Sequence, residues 1–247
     1  KAAEIPFLDF EVNAIGTLNL LEAVRKYCKD CIFVHLSTNK VYGDRPNKLQ
    51  LIELDNRWEF TGDFFRKGIS EDFPIDQSTH SLFGVSKASS DLLVQEYGRY
   101  FSIPTCCLRG GCLTGPSHSG VELHGFLNYL IRCNLLKNKY IINGYKGKQV
   151  RDNIHSYDVA NFIYHYSKDP KIASVYNIGG GYENSISILE TIYKIEKISG
   201  IKMNYSYSDI ARVGDHICYY SDLSKAMEHY KNWKIEIKID SILELMI

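Results

Sequence analysis

Side chains able to do chemistry cluster in a few short stretches of this sequence. Ser37-Thr-Asn-Lys40 places two hydroxyls, an amide and an ammonium directly after an apolar run. His80 stands just ahead of a helical pattern that carries Phe83 and Lys87 one turn apart. Arg109 follows a second apolar run, where burial would oblige it to find a partner. Arg151 and Arg212 each offer a guanidinium fork that suits phosphate oxygens. His118, Glu122 and His124 share a polar stretch that could line a pocket. Their spacing, H-S-x-x-E-x-H, matches no metal-ligand pattern, so no metal is expected. Taken singly, a helical lysine is more often solvated and an arginine more often part of a surface ion pair.

The elements that must position these groups alternate along the chain. Residues 10–27 read as a helix, with Ile15, Leu18, Leu21 and Val24 recurring every third residue. Residues 31–36 form a short, apolar, β-rich run expected to be a buried parallel strand. A polar, aromatic excursion over the surface is expected across 44–77, then a long helix over 83–101 and a strand over 104–108. Further helices are predicted over 120–136, 157–167 and 187–199, with strands over 140–142 and 175–178. Such alternation indicates an α/β, Rossmann-like parallel sheet. Thr38 then ends a strand at the carboxyl edge of that sheet, where ligands of open α/β sheets bind.

Composition narrows the possibilities. Lys plus Arg and Asp plus Glu are each 29, so no global basic field favours nucleic acid or a membrane surface. No apolar run is long enough to span a bilayer and no signal peptide opens the sequence, which reads as cytoplasmic. Seven cysteines, an odd number, disfavour a secreted disulfide framework. Cys28 and Cys31 make a C-x-x-C with no second such pair, and are expected to be reduced thiols in packing positions.

Ordered blocks carry a resemblance to a known family. Asn13-Ala-Ile-Gly-Thr-Leu-Asn-Leu-Leu-Glu-Ala23 resembles the N-x-x-G-T-x-x-L-L-E-A helix of extended short-chain dehydrogenase/reductases. Ser37-Thr-Asn-Lys-Val-Tyr-Gly43 is similar to their S-[ST]-x-x-V-Y-G, and Phe83-Gly-Val-Ser-Lys87 sits where Y-G-x-S-K is expected. Leu108-Arg-Gly-Gly-Cys-Leu-Thr-Gly-Pro116, Gly147-Lys-Gln-Val-Arg-Asp152 and Arg212-Val-Gly-Asp215 resemble later blocks, in the family's order. The run Ser37-Thr-Asn-Lys resembles CDP-paratose 2-epimerases most closely, and Asn177-Ile-Gly-Gly-Gly181 agrees. Sugar-nucleotide 4,6-dehydratases place Asp and Glu at Asn39 and Lys40; an amide and an ammonium cannot serve as that acid and base.

The resemblance implies the remaining expectations. No G-x-G-x-x-G or G-x-x-G-x-x-G occurs, which points to a chain lacking the glycine-rich start of its dinucleotide-binding domain. Residues 1–115 would then be the remainder of that domain and 116–247 mainly a smaller substrate-binding region, with about 150–178 returning to the Rossmann sheet. The implied reaction is transient oxidation of a nucleotide sugar to a ketone and re-reduction on the other face, with bound NAD as hydride carrier. Thr38 would hydrogen-bond the reacting hydroxyl. Lys87, Ser37 and Arg109 would bind the cofactor. Asn39, Lys40, Arg151, Arg212, His118, Glu122 and His124 would contact a nucleotide sugar, CDP-linked by the closest resemblance. Asn13 would order the site through hydrogen bonds. The helices at Asn13 and Phe83 would pair in a homodimer or homotetramer.

Phe83 departs from the pattern, because the family's tyrosine phenol is absent there. His80, a water held by Thr38, or no substitute at all are the three open accounts. Two alternatives to the 2-epimerase also stand: a 4-epimerase or reductase of another nucleotide sugar, and a sugar-nucleotide binder without turnover.

Overall fold

The computed structural model describes residues 2–121, 125–211 and 214–247. Along the chain, helix α1 (Pro6–Phe10) runs through one π-helical turn, Glu11–Ile15, into α2 (Gly16–Tyr27). Strand β1 (Phe33–Thr38) follows, then the hairpin of β2 (Leu51–Glu53) and β3 (Trp58–Phe60), and α3 (Leu82–Phe101). Next come β4 (Thr105–Gly110), β5 (Cys112–Thr114), α4 (Phe126–Leu135), β6 (Tyr140–Asn143), β7 (Val150–His155) and α5 (Ser156–Lys168). The chain continues through β8 (Ser174–Ile178), β9 (Ser185–Ser187), α6 (Ile188–Ser199), β10 (Tyr205–Ser208), β11 (Cys218–Tyr219), α7 (Ser224–His229) and α8 (Ile239–Met246).

Among the described residues, β1, β4 and β8 form a parallel sheet in that order, with Thr38 opposite Gly110 and Arg109 opposite Asn177. All six residues of β4 are buried, which explains its unalternating sequence, Thr-Cys-Cys-Leu-Arg-Gly. At Gly111 the chain turns from β4 into β5, which joins β7 and β11 in a second sheet; β9 pairs antiparallel with β7. A Cβ on Gly111 would meet the Asp152 carboxylate at 2.5 Å, so only glycine fits between the two sheets. Strands β6 and β10 pair in parallel beside α4, α6 and α8, and these helices share an apolar core around Leu130, Ile142, Ile195 and Ile242. Helix α3 is capped by the Ser81 hydroxyl, which accepts the Gly84 N–H, and α6 by a reciprocal Ser187–Glu190 box.

Three expectations need revision. Residues 44–77 are mostly exposed or half-buried, but the excursion is anchored in a core: Phe60 and Ile69 are fully buried, packing with Tyr42, Tyr219 and Tyr220, and Glu59 accepts the Tyr220 hydroxyl. Aromatic side chains supplied this core without a periodic signature. The helix expected over 120–136 begins at Phe126. Cys28 and Cys31 are exposed, not packed.

His35, on β1 beneath α3, is 9% exposed, and its Nε2 lies 3.0 Å from the Ser90 hydroxyl. Burial first, then the charge of Lys87, lowers its pKa to about 4, with Asp91 opposing. The unfolded state therefore binds more protons between its ordinary value near 6.5 and about 4, so stability falls as pH drops through that window. Urea unfolding should show this loss, up to about 3 kcal/mol, in wild type relative to His35→Gln. Equal pH slopes for the two proteins would reject it.

Candidate active site

A cleft of about 670 Å³ opens at the carboxyl ends of β1 and β4. Its walls come from Leu36–Lys40, from Phe83 and Lys87 on α3, from Gly110–Thr114, from Gln149 just ahead of β7 and Arg151 and Asn153 on it, and from Gly214 and Asp215.

Thr38 ends β1 in extended geometry, and its hydroxyl oxygen accepts the Lys40 N–H at 3.2 Å, starting the short 3-10 turn Asn39–Tyr42. A hydroxyl retains a proton and a second lone pair, so this cap orients Thr38 without exhausting it. Ser37 also lines the cleft, but its hydroxyl donates to Asp91 at 2.6 Å. Asn39 is buried in the cleft wall.

Lys87 lies one turn beyond Phe83 on α3, and its Nζ donates to the Leu36 carbonyl at 2.7 Å, tying the helix to the end of β1. Partial burial lowers its pKa; the Asp91 charge pulls the other way. Asn13, in the π-helical turn, donates to the Ser86 hydroxyl, which donates in turn to Asp9. It thus steadies the segment between Phe83 and Lys87 while itself lining the cleft.

The far wall is cationic. Arg151 donates to Asp215 at 2.7 Å and to the Val150 carbonyl at 2.7 Å, while Lys40 reaches the same Asp215 oxygen at 3.0 Å and the Gly214 carbonyl at 3.1 Å. Burial alone would raise the Asp215 pKa, but Arg151 and Lys40 reverse this and hold the carboxyl far below its usual range. Asn47 fastens the same loop, donating to the Asp215 carbonyl and accepting the Ile217 N–H.

Two predicted site residues lie elsewhere. His80 does not line the cleft: its ring nitrogens face the Val41 carbonyl at 2.8 Å and the Ser78 carbonyl at 3.1 Å. That ring holds the loop ahead of α3, so a proton shuttle through it is not supported. Arg109 is also absent from the cleft. Its guanidinium, 4% exposed, pairs with Asp91 through two nitrogens at 3.0 and 3.2 Å and donates to the Tyr42 hydroxyl and the Glu71 carbonyl. A guanidinium so engaged is a framework group, not a cofactor ligand. His118 lines the cleft, whereas Glu122, His124 and Arg212 lie outside the described residues.

Sequence reasoning missed Gln149, Asn153 and Asp215 as cleft residues. Gln149 and Asn153 flank Arg151 at two residues on either side, and period-two alternation along a strand puts all three on one face. The alternation becomes visible once residues 150–155 are recognised as a strand.

A strand-end threonine, a helical lysine at its shoulder and an arginine wall are thus gathered in one cleft. The sequence from residue 2 to residue 179 matches the NAD dependent epimerase/dehydratase family. The chain belongs to this family. CDP-paratose 2-epimerase of Salmonella typhi is 32% identical over 227 residues, covering 89% of this chain and 65% of that protein. A dTDP-glucose 4,6-dehydratase of Escherichia coli K12 is 31% identical over 201 residues, or 76% of this chain and 50% of that enzyme. The chain therefore spans between half and about two thirds of these relatives. The crystal structure of UDP-glucuronic acid 4-epimerase from Bacillus cereus, in complex with UDP-glucuronic acid and NAD, superposes with a TM-score of 0.74 at 28% identity, covering 95% of this chain and 65% of that one. Among the described residues, no helix of this family member is long and apolar enough to cross a membrane.

Proposed function

We propose that this chain forms the sugar-binding and catalytic part of an NAD-dependent nucleotide-sugar epimerase, acting on CDP-paratose or a close CDP-linked analogue. One observation carries the reading. Among the described lining residues, three cations (Lys40, Lys87 and Arg151) face one carboxylate (Asp215) in the same cleft as Thr38. An anion as compact as a diphosphate answers that imbalance, and the guanidinium of Arg151 is the group best shaped to hold it.

The residues present fit one end of the cofactor. Lys87 and the Leu36–Thr38 strand end can hold a nicotinamide ribose, whereas this sequence contains no G-x-G-x-x-G or G-x-x-G-x-x-G turn to receive the pyrophosphate. NAD, when bound, supplies the hydride acceptor and donor. Thr38 would hold the hydroxyl at the carbon to be inverted. Lys87 would favour its deprotonated form by charge, and Arg151 with Lys40 would anchor the diphosphate so that the sugar can turn over. The pair Asn39-Lys40 offers no acid–base couple for loss of water, which supports epimerisation over dehydration. Exposed Phe7, Val12 and Leu92 on α1, the π-helical turn and α3 support assembly as a homodimer or homotetramer.

With His80 held by two carbonyls and Phe83 without a phenol, a binder lacking turnover is the second reading these observations favour. Incubation of a full-length version, in which a glycine-rich pyrophosphate turn precedes this chain, with NAD and CDP-paratose, followed by proton NMR, tests the first. CDP-tyvelose is expected; saturable binding without product selects the second reading. Phe83→Tyr restores a phenol one turn from Lys87. It is expected to raise turnover by about 10²-fold or more with little change in KM, if no substitute acid–base operates. An unchanged rate would mean that Thr38, directly or through water, already moves the proton.

A further inference from the structure

The C-x-x-C pair is used neither by the core nor by the cleft. Helix α2 ends at Tyr27, and the Cys31 N–H donates to the Cys28 carbonyl at 2.9 Å, closing a turn that contains only Lys29 and Asp30 between the two cysteines. A turn of this kind brings its first and fourth Cα atoms within about 7 Å. A disulfide spans about 4.4–6.8 Å between Cα atoms. Both thiols are free and exposed, on a turn that keeps their Cα atoms within disulfide range of each other. The other cysteines contrast with them. Cys106, Cys107, Cys133 and Cys218 are buried, and burial drives the thiols of Cys106, Cys107 and Cys218 well above their ordinary range. Cys112, at the cleft, is pushed up to about 12. Thiols held protonated in this way are poor nucleophiles, so exchange chemistry is confined to one place on the surface.

We propose that Cys28 and Cys31 form a reversible dithiol–disulfide site, oxidised by a low-molecular-weight disulfide of the glutathione type. The Cys28 thiolate attacks one sulfur of the oxidised glutathione, forming a mixed disulfide and releasing one glutathione thiolate. Cys31 then attacks the Cys28 sulfur, closing the intramolecular disulfide and releasing the second. Two protein thiols are oxidised, one glutathione disulfide is reduced to two thiols, and the two protons pass to the released thiolates. Cys28, across the turn, holds the Cys31 thiol above its usual range. The site lies at the amino end of β1, a strand of six residues, or about 20 Å, from Thr38 at its other end. It stands independently of the nucleotide-sugar reading, and its oxidation should leave ligand binding in the cleft unchanged.

Incubation of the 247-residue protein with oxidised glutathione, alkylation of remaining thiols and intact-mass analysis test the proposal. Wild type is expected to lose two hydrogens and to take up two fewer alkyl groups, with the disulfide mapped to the peptides on either side of Lys29. Cys31→Ser is expected to stop at one retained glutathione on Cys28. Dithiothreitol should restore all thiols in both. A wild-type protein that keeps a stable glutathione adduct, or whose Cys28 and Cys31 both remain fully alkylatable, would overturn it.

Discussion

Replacing Asp91 with alanine should destabilise the protein by about 3–5 kcal/mol, because it strands the guanidinium of Arg109 without a counter-charge in the interior. Asp91 is fully buried, and its two oxygens accept from Ser37, Gln95 and both the Nε and Nη2 of Arg109. Desolvation opposes its charge, but these donors prevail and hold its pKa below the usual carboxylate range. Its contribution is therefore complete above the ordinary Asp value near 3.9 and is lost as pH falls below it. The network continues from Arg109 to Tyr42, whose hydroxyl donates to Asn177, so one carboxylate ties α3 to β1, β4 and β8. Urea unfolding of Asp91→Ala measures the loss. A double variant, Asp91→Leu with Arg109→Met, should recover much of it, since an apolar pair of similar volume often replaces a buried ion pair without net cost. A single-variant loss under about 1 kcal/mol would show that the pair does not organise the sheet.

The second large effect is expected at Arg151. Replacing it with methionine should raise the Kd for a nucleoside diphosphate sugar by about 10- to 100-fold, the range of about 1.5–3 kcal/mol for a hydrogen bond to a charged group. Its stability cost should be smaller, because Lys40 remains on Asp215 and keeps that carboxylate paired. Asp215→Asn separates the roles. If Arg151 serves the diphosphate, releasing it and Lys40 from their shared carboxylate leaves affinity equal or tighter. A parallel loss of affinity in both variants would instead make the Arg151–Asp215 pair a structural latch. Isothermal titration at low and raised ionic strength reads both, with weaker binding expected at high salt.

Much of this was legible in the sequence, for definable reasons. Thr38 and Lys87 were found because a β-rich run and a helical run each end or begin at a fixed distance from them. The helix–strand alternation then sets those ends at one edge of a sheet. The partners of the charged residues were not legible. Lys40 meets Asp215 across 175 residues, a contact that no local pattern encodes. Arg109 was assigned to the cofactor by its motif, although its place in a wholly buried strand already required a counter-ion. The anchoring of the 44–77 segment was not legible because its aromatic residues reach the core from short 3-10 turns and a hairpin of three-residue strands, elements too brief to leave a period.

The claim at the centre of this account is that the cleft recognises a nucleotide-linked sugar through its diphosphate. Calorimetric titration of the protein with a CDP-sugar, CDP, CMP and the free sugar tests it most directly. Saturable one-to-one binding is predicted for the CDP-sugar and, more weakly, for CDP, with CMP at least about tenfold weaker still and the free sugar undetectable. Binding of CMP as tight as that of the CDP-sugar, or no binding of any nucleotide at millimolar concentration, would contradict it.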